Sequence, residues 1–438
     1  MADRNDLFGT DGIRGRSNVF PFDAESLLKI GNAAARLFAA GRVLIARDTR
    51  ESGRDIETAF CRGLSGVRET VLAGVLPTPA LAFLTHRGDF DLGVMISASH
   101  NPWPDNGLKF FGPDGKKISR TAECKLNTAF FSPGRGKTGL TPISKSDLSR
   151  LYLDFLESAV EQKAMPALSV VADCANGAVA AVIEQVFSHF GLRGEIINAT
   201  PDGRNINLDC GATEPAALQA TVREKRADLG FAFDGDGDRL ICVNSEGILL
   251  NGDHSLWILA GHLAEKEKSF NRQVVGTVMS NSGLENALRQ KGMVLHRAAV
   301  GDREVMLEME ARQSILGGEP SGHTILGHRH TTGDGLLTAL FLLQALLAAG
   351  SSLDQAADSL QLVPLFSRDL PIKEKFSFSD WPPFQKLEQE FKSTAGQAGR
   401  MLVRYSGTEN KLRIMVEHPD QSTAVCFLDR IQEVFNSR

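Results

Sequence analysis

Three stretches of this sequence share one design, and that recurrence restricts the fold more than any other feature. "VLIARDTRESG" from Val43, "VVADCANGA" from Val170 and "VVGTVMSNSG" from Val274 each place a continuous apolar, β-branched run before a small or polar turn. An amphipathic helical pattern follows each of them. Unbroken apolar runs suit strands covered on both faces, and strand-helix alternation predicts a parallel or mixed sheet. The spacing is too long for a solenoid repeat and suits separate domains. With 438 residues the chain also exceeds what one core supports, about 250–300 residues.

Polar or Pro/Gly-rich stretches at 132–147, 244–253 and 362–376 are the expected connectors. They divide the chain into 1–147, 148–250, 251–366 and 367–438. The fold class is α/β, with three related mixed-sheet domains and a smaller C-terminal α+β domain.

Composition excludes several kinds of partner. Net charge is only -5 and the basic residues are scattered, which argues against nucleic acid or an anionic membrane surface and leaves a charged small molecule. Six cysteines without a CxxC pair indicate neither a zinc ribbon nor a disulfide framework, and read as reduced thiols in a cytosol. The opening "MADRNDLFGT" has no apolar stretch suited to a signal peptide. The longest apolar run, Leu336 to Gly350, contains Gln344 and falls short of the ~18–20 residues a membrane span needs, so a buried core helix is expected. The protein is expected to be cytoplasmic.

The strongest chemical signal is "FAFDGDGDRL", where Asp234, Asp236 and Asp238 alternate with glycines after a strand-like run. Tight turns there can aim three carboxylates at one point, and such a group repels itself unless a cation sits among it. Oxygen-only ligation selects a hard ion, Mg²⁺ or Ca²⁺. A solvated acidic turn is the plain alternative. An EF-hand fails, because Arg239 stands where its glycine belongs and Ser245 where its glutamate belongs. Mg²⁺ commonly adds a phosphate oxygen to its protein carboxylates, which raises the question of where a phosphate comes from.

Ser99, in "VMISASHNPWPDNGLKFF", is one answer. It lies beyond a buried-strand pattern, where open α/β sheets bind their ligands. No G-x-S-x-G surrounds it, and alone it reads as a turn former. His100, Asn101 and Lys109 nevertheless offer donors to an anion on its hydroxyl. In "VRYSGTENKLRIMVE", Arg404, Ser406, Gly407 and Thr408 suit an anion nest, with a plain hairpin as the alternative. In "GGEPSGH", Glu319 and Ser321 alternate on one expected face and suit sugar hydroxyls, while His323 is read equally as structural or functional. Arg14 lies in the glycine-flanked "FGTDGIRG".

These motifs, in this order, resemble the α-D-phosphohexomutase family from end to end. The wording of "GTDGIRG", "ISASHNP", "VGDREVM", "GGEPSGH" and "SGTENKLRIMVE" is most like a bacterial branch acting on an amino-sugar phosphate. The resemblance implies four domains around a central cleft, with Ser99 carrying a phosphoryl group. It implies one Mg²⁺ per chain on Asp234, Asp236, Asp238 and the Ser99 phosphate, with Arg239 alongside. It implies that Glu319 and Ser321 hold sugar hydroxyls, and that Arg404, Ser406, Gly407 and Thr408 hold the nonreacting phosphate. Lys109 and His323 match positions proposed for proton transfer, and Arg14 and His100 match positions near the phosphoserine.

The implied activity is intramolecular phosphotransfer between glucosamine 6-phosphate and glucosamine 1-phosphate, with a hexose 1,6-bisphosphate as intermediate and activator. A phosphomannomutase or phosphoglucomutase of the same family, or a Mg²⁺-dependent phosphatase, are the alternatives, and a homodimer is left open. Pro320 stands where this branch usually has glutamine and Asn410 where it usually has proline, departures that bear on sugar preference.

Overall fold

The computed structural model describes residues 6–38, 41–132, 142–161, 165, 168–372, 376–378, 381–395, 399–405 and 410–437. The recurring apolar runs are strands, as their pattern predicts: Arg42–Arg47, Ser169–Asp173 and Gln273–Thr277. Each lies in a different sheet.

The first sheet has seven strands in the order Phe8–Gly9, Gly12–Arg16, Asp105–Phe111, Leu92–Ile96, Arg42–Arg47, Glu69–Val75, Ile143–Lys145. The second has five, Leu249–Leu250, Leu240–Asn244, Leu229–Phe233, Ser169–Asp173, Arg193–Ile197. The third has four, Val294–Ala298, Gln273–Thr277, Leu316–Gly318, Thr324–Leu326.

One substructure repeats. Beside each recurring strand runs a parallel neighbour, Leu92–Ile96, Leu229–Phe233 or Leu316–Gly318. That neighbour turns back into an antiparallel strand, Asp105–Phe111, Leu240–Asn244 or Thr324–Leu326. The three returning turns hold Ser99, the three aspartates and Glu319 to His323. They occupy the carboxyl ends of parallel strands, the usual ligand position of such sheets.

Helices bury the sheet faces. Asp23 caps Ala24–Leu37 by accepting from the Ser26 N–H. The apolar run forms Gly335–Ala349, buried along most of its length and capped by Asp334. Its single interior amide is satisfied: the Gln344 Oε1 accepts from the Glu161 N–H at 2.7 Å and its Nε2 lies 3.1 Å from His262 Nε2. Among the described residues no helix is long and apolar enough to cross a membrane.

The described chain forms two compact units. One comprises residues 1–279 and 296–358, the other 280–295 and 359–438. In the second, an antiparallel sheet ordered Leu365–Pro371, Lys411–Glu417, Arg400–Tyr405 packs Leu412, Ile414 and Val416 against Phe391, Phe427 and Ile431. This is the expected small α+β fold. Helix Ser282–Gln290 belongs to this unit too, with the Ser282 N–H donating to Glu417 Oε2 at 3.1 Å.

All three expected connectors contain strands. Within 244–253, Leu249–Leu250 pairs antiparallel with Leu240–Asn244. Within 362–376, Leu365–Pro371 is an edge strand, because Phe366 and Leu370 alternate toward the core and Pro371 stands at the strand's end, where a missing N–H is tolerated. Within 132–147, Ile143–Lys145 pairs parallel with Glu69–Val75 and covers the edge of the first sheet.

Candidate active site

Strand Leu92–Ile96 is buried throughout and delivers the serine loop to its carboxyl end. Ser99 is 2% exposed and has a positive φ of 51°. Its N–H donates to Ser97 Oγ at 2.9 Å, and the Ser97 hydroxyl donates to Asp48 Oδ2 at 2.6 Å. His100 Nδ1 lies 3.3 Å from Ser99 Oγ. Burial and the nearby Arg239 and Arg14 cations push the His100 ring down to about 4, so it is neutral at physiological pH.

The aspartate loop meets this serine. Gly237, at φ 75°, donates to the Asp234 carbonyl at 3.1 Å and closes the turn. One carboxylate oxygen from each of Asp234, Asp236 and Asp238 lies within 4.8 Å of the others, and all three residues are buried. The Ser99 hydroxyl donates to Asp234 Oδ2 at 2.6 Å, joining residues 135 positions apart. Gly235 makes the approach possible, since a Cβ there would lie 2.6 Å from the Ser99 carbonyl oxygen.

The charges around this cluster do not cancel. Lys109 Nζ donates to Asp236 Oδ2 at 2.8 Å and to Asp238 Oδ2 at 3.1 Å, and lies 3.3 Å from Asp11 Oδ2. Thr78 also donates to Asp236 Oδ2. Burial works against the Asp236 anion, but Lys109, Thr78 and Arg14 outweigh it and hold that carboxyl well below the usual range. Burial and the neighbouring Asp238 and Asp236 push Asp234 up to about 8. The donor set fits a hard divalent cation: Asp236 Oδ1 and Asp238 Oδ1 are buried without a hydrogen-bond partner, and Asp234 lacks a full counter-charge.

Arg239 follows the cluster, donating its N–H to Asp234 Oδ1 at 3.2 Å, with its Nε 3.9 Å from Asp238 Oδ1. Its backbone bridges to His323. Both ring nitrogens of His323 are buried without a hydrogen-bond partner, and Nε2 lies 3.9 Å from Asp302 Oδ2. Glu319 Oε1 accepts from the Gly301 N–H at 3.0 Å. Glu319 and Ser321 do not share the expected face, because Gly322, at φ 94°, donates to the Glu319 carbonyl at 3.0 Å and the segment is a turn. Glu319 is buried and Ser321 exposed.

Lys109, expected to offer a donor to an anion on Ser99, is held by the carboxylates of Asp236, Asp238 and Asp11. Arg14 pairs with Asp11 and lies within electrostatic reach of His100, Asp236 and Asp238. Arg404 lies in strand Arg400–Tyr405 of the second unit, and Ser406, Gly407 and Thr408 lie outside the described residues.

Sequence reading missed four contributors: Thr78, Asp11, Lys117 and Asp302. Lys117 bridges Asp11 and Asp302. Asp11 and Asp302 stand inside recognised wording, "GTDGIRG" and "VGDREVM", but no local pattern marks Thr78 or Lys117.

A serine hydroxyl lies against a buried three-carboxylate cluster carried on repeated α/β sheets, and sequence comparison specifies the class of protein. Family profiles for phosphoglucomutase/phosphomannomutase match over residues 5–135 (alpha/beta/alpha domain I), 150–247 (domain II), 251–363 (domain III) and 369–434 (C-terminal domain). The chain belongs to this phosphohexomutase family and is an isomerase of the phosphotransferase kind.

More particularly, it is 41% identical over 440 residues to the phosphoglucosamine mutase of Methylococcus capsulatus, covering 98% of each chain. It is 44% identical over 418 residues to that of Thermus thermophilus, covering 94% of this chain and 93% of the relative. Among solved structures, a phosphoglucomutase/phosphomannomutase family protein from Burkholderia thailandensis shares the fold at TM-score 0.81 and 23% identity, covering 99% of this chain and 97% of that one. Aspergillus fumigatus N-acetylphosphoglucosamine mutase, solved with GlcNAc-6P and magnesium, does so at TM-score 0.70 and 16% identity, covering 99% and 96%.

Proposed function

We propose that this enzyme interconverts glucosamine 6-phosphate and glucosamine 1-phosphate through a phosphorylated Ser99. The observation that carries the proposal is the 2.6 Å hydrogen bond from the Ser99 hydroxyl to Asp234 within the three-carboxylate cluster. The full-length relatives named as phosphoglucosamine mutases support the choice of sugar.

In the forward direction the bond from phosphorus to Ser99 Oγ breaks as one to O1 of glucosamine 6-phosphate forms. The O1 proton passes to a base and Ser99 is left protonated. The resulting 1,6-bisphosphate turns over, its O6 phosphoryl group returns to Ser99, and O6 regains a proton. The net change is isomerisation, and free bisphosphate primes an unphosphorylated chain.

Asp234, Asp236 and Asp238 would hold Mg²⁺, which when bound supplies charge neutralisation for the transferred group. Lys109, tied to three carboxylates, suits fixed charge better than proton transfer. His323 suits the proton role, because its ring nitrogens make no hydrogen bond and one of them lies 3.9 Å from the Asp302 carboxylate. Glu319 and Ser321 are assigned to sugar hydroxyls, and Arg404, Ser406, Gly407 and Thr408 to the nonreacting phosphate. Arg14, His100 and Arg239 are assigned to the phosphoryl group. The domains are taken as 1–147, 148–250, 251–366 and 367–438, and the reaction as cytoplasmic.

Intact mass spectrometry and a substrate series test this reading. The purified protein is expected to carry about 80 Da that disappears in Ser99→Ala, together with mutase turnover. Glucosamine 6-phosphate should give a higher kcat/KM than glucose or mannose 6-phosphate. Steady release of inorganic phosphate without isomerisation would instead identify a phosphatase.

A further inference from the structure

The Ser99 loop is held by a buried cation whose partners are protein oxygens. Arg50, in the turn after strand Arg42–Arg47, is 1% exposed, and its guanidinium commits all five N–H donors. Nε donates to Asp48 Oδ2 at 2.9 Å. One terminal nitrogen donates to the carbonyls of Pro102 at 2.6 Å and Asp105 at 3.0 Å. The other donates to those of Ser99 at 3.0 Å and Asn101 at 2.8 Å. A guanidinium so occupied cannot also bind a substrate anion. It also cannot be replaced by lysine, which has three donors on one atom.

A second clamp reaches the same two carbonyls from the second sheet's side. Asn207 Nδ2 donates to the Ser99 carbonyl at 2.9 Å and the Asn101 carbonyl at 3.2 Å. The Ser99 carbonyl is thus gripped by one residue from each of the two α/β domains whose loops meet at the serine. Gly235 of the aspartate loop lies against the same oxygen. Ser99 itself has a backbone conformation that non-glycine residues rarely adopt, so its side-chain direction depends on what holds it there.

We propose that Arg50 and Asn207 are positioning residues that fix the Ser99 carbonyl, and through it the distance between the phosphoryl-bearing hydroxyl and the aspartate cluster. Two opposite transfers pass through one oxygen, so an error in its placement penalises both. The inference rests on the reading of Ser99 as the phosphoryl carrier.

The test compares Asn207→Ala and Arg50→Lys with the unaltered enzyme, using glucosamine 6-phosphate, glucose 1,6-bisphosphate and Mg²⁺. Both variants are expected to lose about 10- to 100-fold in kcat, the effect of an ångström-scale misplacement, with KM little changed. Asn207→Ala should melt close to the unaltered protein, because Asn207 is only half-buried and the Arg50 network remains. If Arg50→Lys does not fold, Asn207→Ala decides alone. Unchanged kcat in folded Asn207→Ala, or a loss confined to KM, overturns the proposal. Failure of the underlying reading would show separately, as an unaltered protein that carries no phosphoryl group and a Ser99→Ala variant that still turns over.

Discussion

Asp236 and Asp238 each present one oxygen to Lys109 and leave the other buried without a hydrogen-bond partner. Losing one carboxylate from a three-carboxylate cation site removes both a ligand and a charge. Asp238→Asn is therefore expected to raise the Mg²⁺ concentration for half-maximal activity by about tenfold or more, equivalent to ~1.4 kcal/mol, as read from a Mg²⁺ titration of turnover. Away from the site, burial raises the Asp334 carboxyl to about 7, although the Leu337 N–H and the Tyr152 hydroxyl both donate to it. Between about pH 4 and 7 the folded protein keeps a proton that the unfolded chain releases. This contribution to stability is whole below that window and is lost as pH rises through about 7. Asp334→Asn keeps an acceptor for the helix cap and removes the titration. Urea unfolding should find the variant gaining on the unaltered protein between pH 5 and pH 8; a pH-independent difference would contradict this.

At the scale of elements, the site is the same hairpin return used three times, once in each α/β sheet, and what distinguishes the copies is the residue set on the turn. Helix packing behind the first copy depends on a glycine pair. Gly31 of helix Ala24–Leu37 faces Gly63 of helix Gly53–Gly63, and a Cβ at Gly31 would come within 3.0 Å of Gly63 Cα and closer still to the Phe60 carbonyl oxygen. Gly31→Ala would gain about 1 kcal/mol of helix propensity. Forcing backbones apart in a packed interface costs about 1–3 kcal/mol, so net destabilisation is expected, measurable as a lower denaturation midpoint. A midpoint raised by the substitution would show that the helices separate freely.

At the scale of the whole molecule, the three aspartates proposed to hold Mg²⁺ lie wholly in the unit formed by residues 1–279 and 296–358. Ligand binding stabilises only what it binds, by about 2.7 kcal/mol at a hundredfold excess over Kd. Hydrogen exchange with and without Mg²⁺ should therefore show added protection around residues 97–101 and 229–240, and little change in strands Arg400–Tyr405 and Lys411–Glu417. Equal protection in both units would argue against a local site.

The sequence alone determined three strands, whose unbroken apolar runs suit burial on both faces of a sheet, and it determined where three carboxylates crowd on one glycine-hinged turn, a group that repels itself unless a cation sits among it. It also carried the family, since Ser99, Asp234 and Glu319 stand in recognisable wording. It could not say that Ser99 would touch Asp234, that Lys109 would pair with aspartates, or that Glu319 and Ser321 would part company on a turn. Thr78, Lys117, Arg50 and Asn207 carry no local mark at all. Their roles come from contacts between residues far apart in the chain, and such contacts depend on how sheets and loops pack rather than on any pattern a short stretch of sequence can display.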